Sequence, residues 1–136
     1  MFRTTTLVIT LFAGPAFALC DGVDGFLTGD AAAAAVIFHP HPATCRVARE
    51  ADGEALFCFS EHGFRSENAT ETAARLERTL IGCFGEGVTI TLDDEVNHPD
   101  SYVAKTFAKD SGALSLSVKD KGALGKTLVF LRGAPR

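Results

Sequence analysis

Residues Cys45–Phe59, CRVAREADGEALFCF, decide the fold. Asp52-Gly53 is a strong turn pair, and the runs on either side of it are strand-like. The stretch therefore predicts a β-hairpin: Cys45 to Glu50, a turn at Ala51-Asp52-Gly53-Glu54, then Ala55 to Ser60. Pairing about Asp52-Gly53 sets Val47 opposite Cys58, with Cys45 one diagonal step away on the same face. A one-residue shift or a bulge brings the two cysteines into bonding range, about 4 Å between β-carbons.

Downstream of the hairpin, Asn68 to Cys83 predicts the main helix. Ala69, Ala73, Leu76, Leu80 and Cys83 recur at helical spacing, and Asn68 with Glu71 forms a start resembling a capping box. From Val88 onward the pattern changes to period two. Strands are expected at Val88–Leu92, Ser101–Lys109, Leu114–Val118 and Thr127–Leu131, joined by turn-rich segments as an antiparallel meander with one buried face. Upstream, Cys20 to Gly29 is glycine-spaced and reads as irregular. Asp30 can cap a short helix, Ala31 to Phe38, that is apolar all round and so expected to be buried. Pro40 and Pro42 end it. The element order is α-β-β-α-β-β-β-β. The fold class is α+β: an antiparallel sheet, hairpin plus C-terminal four-strand meander, packed against one main helix and a short N-terminal helix.

Residues 1–18 have a basic head at Arg3, a short apolar run from Leu7 to Phe12, and an Ala16-Phe17-Ala18 end. This is the pattern of a cleavable secretory signal. The run falls short of the ~20 apolar residues that span a bilayer. Leu19, not a small residue, precedes Cys20, so cleavage after Ala18 is expected rather than lipid attachment. Residues 19–136 then form a single disulfide-linked α+β domain, free of the membrane, periplasmic or secreted. Removing Arg3 leaves 12 basic against 17 acidic side chains, a net charge of −5. That balance argues against nucleic acid, whose phosphates call for a basic surface.

Four cysteines in an exported chain favour two disulfides. The hairpin and the length of the main helix favour Cys45–Cys58 with Cys20–Cys83. The sequential pairing, Cys20–Cys45 with Cys58–Cys83, is the rival. With no C-x-x-C, neither a thioredoxin-type redox motif nor a paired zinc knuckle is available.

Few motifs carry chemistry. Asp120–Thr127, DKGALGKT, ends like a phosphate-binding loop, but Asp120 stands where glycine is required and a strand follows, so a turn is expected. His39 and His41, in His-Pro-His-Pro, could bind Zn²⁺ or Cu²⁺ with a third imidazole from His62 or His98. Asn97–Tyr102, NHPDSY, places histidine, aspartate and serine in one loop, which seldom gives triad geometry. Asn68-Ala69-Thr70 matches the N-glycosylation triplet. Phe57, Phe59 and Phe64 are expected in the core; outside it they would furnish an apolar patch near the hairpin's end.

The absence of catalytic motifs predicts a small exported, non-catalytic binding or accessory protein, an inhibitor or chaperone-like partner, with no cofactor. Its partner is expected to be another protein, a basic one by net charge. The alternative is a metal-binding or hydrolytic enzyme using His39, His41 and His98.

Overall fold

The computed structural model describes residues 15–93 and 102–134, with side chains from Ala18 onward. It is an α+β fold with three helices and one six-stranded antiparallel sheet. In chain order the elements are α1 (Pro15–Leu27), α2 (Ala33–Phe38), β1 (Thr44–Glu50), β2 (Gly53–Gly63), α3 (Glu67–Phe84), β3 (Thr89–Asp93), β4 (Tyr102–Lys109), β5 (Gly112–Lys121) and β6 (Lys126–Gly133).

The hairpin forms with its turn one residue earlier than expected. Glu50 faces Gly53 across Ala51-Asp52, and Cys45 faces Cys58 directly, while Val47 faces Leu56. Gly53 is the reason: its φ of +129° belongs to the residue that re-enters the strand, a conformation glycine adopts without steric cost. Each partner moves by two, so no side chain changes face.

The sheet order is β1-β2-β6-β5-β4-β3. The meander β3 to β6 is sequential, and the hairpin joins it by pairing β2 with β6. α3 follows β2 and precedes β3, which lies at the far edge of the sheet. The chain therefore crosses the whole sheet, and α3 packs on β2, β4, β5 and β6 as it does so.

An element absent from the expected order is α1. Its glycines look like breakers in sequence but act as packing positions. A Cβ on Gly22 would meet Ile37 at 3.3 Å, and one on Gly25 would meet Ala33 at 3.1 Å, so α1 and α2 approach closely where side chains are missing. Val23 and Phe26 fall at helical spacing and are buried. Residues 1–14, with the head and apolar run of the expected export signal, lie outside the described residues. The expected cut after Ala18 falls inside α1.

α2 is shorter than the expected Ala31–Phe38. The Asp30 carboxylate accepts from the Ala32 N–H at 2.9 Å, and the helix proper starts at Ala33. It is not buried all round: Ala33, Ala34, Ile37 and Phe38 face inward, while Val36 is 42 % exposed. α3 starts from Ser66, whose hydroxyl accepts from the Ala69 N–H at 3.2 Å. Asn68, the expected cap, is the second residue of the helix and bonds His62 instead. Gly85 ends α3 at φ +72°, its N–H on the Ile81 carbonyl.

Period-two alternation divides the sheet. Leu56, Cys58, Phe107, Leu114, Leu116, Val129 and Leu131 point toward the helices and form one core with Val23, Phe26, Ile37, Phe38, Leu76, Leu80 and Phe84. The disulfides are Cys20–Cys83, binding α1 to the end of α3, and Cys45–Cys58, across the hairpin. Two such bridges fit an oxidising, extracellular environment. Among the described residues no helix is long and apolar enough to cross a membrane.

Candidate functional site

All three helices cover the same face of the sheet, so the opposite face carries the outward half of the alternation. Strand register arranges those outward side chains in rows. One row runs Arg46, Phe57, Arg132, Ser115, Thr106, Thr91 across all six strands. The next runs Phe59, Phe130, Ser117, Ala104, Asp93 from β2 to β3. A third sets Leu128, Lys119 and Tyr102 side by side on β6, β5 and β4.

Size differences along these rows make a hollow. Ser115, Ser117, Ala104 and Thr106 are small and form a floor, while Phe57, Phe130, Arg132 and Tyr102 stand up around it. The depression has a volume of about 270 Å³. Its floor is polar, with Thr106 and Ser115 hydroxyls 2.9 Å apart and Ser117 buried.

The walls combine rings and cations. The guanidinium groups of Arg46 and Arg132 lie over Phe57, 5.2 and 5.4 Å from its centroid. The Lys119 ammonium lies 5.0 Å from the Tyr102 ring and 4.9 Å from Phe130. Contacts of this kind contribute about 0.5–1 kcal/mol each at exposed sites and hold the cations in place over the rings. Burial, then the positive charges of Lys121 and Arg46, push the Lys119 ammonium below its ordinary value. Arg132 is ion-paired with Glu50 at its outer end, both about one-third exposed. Three cations thus line the hollow against one carboxylate, Asp93, with Glu50 paired to Arg132, in a chain whose net charge is −4.

Phe57 and Phe59 therefore do not join the core. Leu56 and Cys58 take the inward positions, and alternation turns the two phenylalanines out to the open face, half-buried. Phe64 lies beyond them at 42 % exposure, with Arg65 over its ring at 4.9 Å.

On the helical face, His62 is buried in a polar chain. Ser60 Oγ is 2.8 Å from His62 Nε2, and His62 Nδ1 is 3.1 Å from Asn68 Oδ1. Because Asn68 Oδ1 can only accept, Nδ1 carries the proton and Ser60 donates to Nε2. Desolvation, then His41, lower the His62 pKa below 6.5, while the bond to Asn68 opposes this and Arg75 adds a smaller lowering. A neutral ring suits its surroundings. The order serine–histidine–amide resembles a hydrolytic triad, but Ser60 is 1 % exposed and cannot meet a substrate.

The other expected motifs are placed as follows. His39 and His41 follow α2 in a turn closed by the His41 N–H on the Phe38 carbonyl at 2.9 Å. His41 approaches His62, with ring centroids 4.9 Å apart. His98 lies outside the described residues, as do Asn97 to Ser101. Among the described residues no three His, Cys, Asp or Glu side chains form a metal-binding group. The Asp120–Thr127 stretch is the β5–β6 turn, a short 3₁₀ turn at Gly122–Leu124 closed by Gly125 at φ +61°. Thr127 Oγ1 donates to Asp120 at 2.6 Å and accepts from the Arg65 N–H at 2.7 Å, so this stretch anchors the β2–α3 connection.

Compared with known protein families, curated proteins and solved structures, the chain matches none of them.

Arg46, Tyr102, Lys119, Phe130 and Arg132 escape a search for motifs. Their signal is present nonetheless: they occupy the outward parity of strands whose inward parity is apolar. Together with Phe57 and Phe59 they place four aromatic rings on the face turned away from the helices.

Proposed function

We propose that the protein is a small, non-catalytic binding protein of the periplasm or cell exterior, and that the open face of its sheet holds a negatively charged ligand. The observation that carries this reading is the Arg46–Lys119–Arg132 set around a hollow on a face without helices. The net charge alone favours a basic partner. Contact forces, however, are local: charges more than about 8 Å apart are largely screened at physiological salt. The cations at the hollow therefore govern what docks there, and complementarity selects an anion. An exported accessory role agrees with the two disulfides.

Titration of the oxidised protein with a hexaglutamate peptide at low salt, followed by amide NMR shifts, tests the reading. Shifts concentrated at residues 46, 57, 119 and 132 support it. Their absence, or shifts confined to the helices, would refute it.

A further inference from the structure

Resting on that proposal, we infer that the hollow is a site for a small planar organic anion of one or two fused rings, an aromatic carboxylate by class. A flat surface for an acidic protein segment would need neither a recess nor a polar floor. This face has both, because four small residues on adjacent rows of β4 and β5 lie inside a rim of larger ones.

The dimensions limit the ligand. At ~30 Å³ per water in the liquid, the hollow of about 270 Å³ holds roughly nine waters. That lies just below the usual range of ligand pockets, which begins at ~300 Å³. One or two rings with an acid group fill it.

The chemistry orients the ligand. Arg46, Arg132 and Lys119 offer donors along the β1–β2–β6 side and at the Tyr102 end. Asp93 stands at the opposite side, on β3, and repels an acid group placed there. A carboxylate is thus drawn toward the cations, and its ring lies over the small-residue floor of Ala104, Thr106, Ser115 and Ser117. The Ser115, Ser117 and Thr106 hydroxyls remain for a ring substituent that hydrogen-bonds. Because Lys119 and the arginines already lie over rings, they are ordered before the ligand arrives, which lowers the entropy lost on binding. A planar guanidinium also matches carboxylate geometry.

The probes are 1-naphthoate, cyclohexanecarboxylate and phenyl phosphate, titrated into the oxidised protein by calorimetry. 1-Naphthoate is expected to bind at least tenfold more tightly than cyclohexanecarboxylate. Phenyl phosphate separates carboxylate from phosphate recognition, and tighter binding of it would overturn the carboxylate assignment. Ser117→Leu fills the floor and leaves every cation in place. It is expected to weaken 1-naphthoate at least tenfold while leaving the hexaglutamate shifts intact. Thr106→Val keeps the shape and removes one hydroxyl, so it should hold 1-naphthoate within about threefold. Undiminished 1-naphthoate binding by Ser117→Leu, or no binding by the wild type while hexaglutamate still shifts the open face, would sink the small-ligand site and leave the anion-binding face standing. Silence of both probes would remove both.

Discussion

The two disulfides close loops of very different length, and this difference yields a quantitative prediction. Cys20 and Cys83 are 63 residues apart, whereas Cys45 and Cys58 are 13 apart. In the chain-entropy description a cross-link removes unfolded-state freedom as 2.1 + 1.5R ln n, so the long loop contributes about 4.3 kcal/mol at 25 °C and the short one about 2.9. The expected gap is about 1.4 kcal/mol. Alanine pairs alone would blur it, because Cys58 is fully buried and its sulfur also packs in the core. The clean experiment keeps one bridge at a time. In Cys45→Ala/Cys58→Ala, urea unfolding with and without reductant isolates Cys20–Cys83. In Cys20→Ala/Cys83→Ala, the same comparison isolates Cys45–Cys58. Each loss is read from the midpoint and slope of the transition. If the hairpin bridge proves equal to or stronger than Cys20–Cys83, the loop-length reasoning fails.

Three further outcomes follow from the packing. Gly82 is on α3 with nothing within 4 Å of a would-be Cβ, so Gly82→Ala should raise stability by about 1 kcal/mol, whereas Gly25→Val should lower it by about 1–3 kcal/mol by forcing α1 off α2; thermal melts decide both signs. Ser66→Ala should cost about 1 kcal/mol through loss of the α3 cap, and no loss in urea unfolding would show that Asn68 or water substitutes. The His62 pKa is depressed when folded, so the unfolded chain takes up its proton first as pH falls: stability should be full above about 6.5 and decline as pH drops from there through the folded value. In His62→Gln that part of the urea-midpoint profile between pH 7 and 5 should be flat; an unchanged slope would assign it to another group.

What the sequence revealed and what it hid have a common physical origin. The Asp-Gly turn exposed the β1–β2 hairpin; alternation exposed β5 and β6, and helical spacing exposed α3, because each of these elements buries one face and the pattern records the burial. The same logic failed for α1, where close helix packing favours glycine and glycine imitates a loop. It also failed for the turn centre, which depended on where one positive φ fell. Phe57 and Phe59 were misassigned to the core because residue type was weighed above parity, although Cys58 between them had already claimed the inward position. The hollow itself could not be read from any one segment. Its rim comes from β1, β2, β4, β5 and β6, and the lateral neighbours are set by the β2–β6 pairing between strands some seventy residues apart. No local pattern encodes that choice.

That pairing has a consequence for how the molecule comes into being. The strand at the middle of the sheet, β6, is the last in chain order. Before it arrives, the hairpin and the β3–β5 ribbon have no strand pairing between them, and neither has a complete apolar layer. Synthesis from the N-terminus cannot lay down this sheet progressively; it delivers the keystone at the end. The rows that build the hollow come into register only when β6 has paired with both fragments.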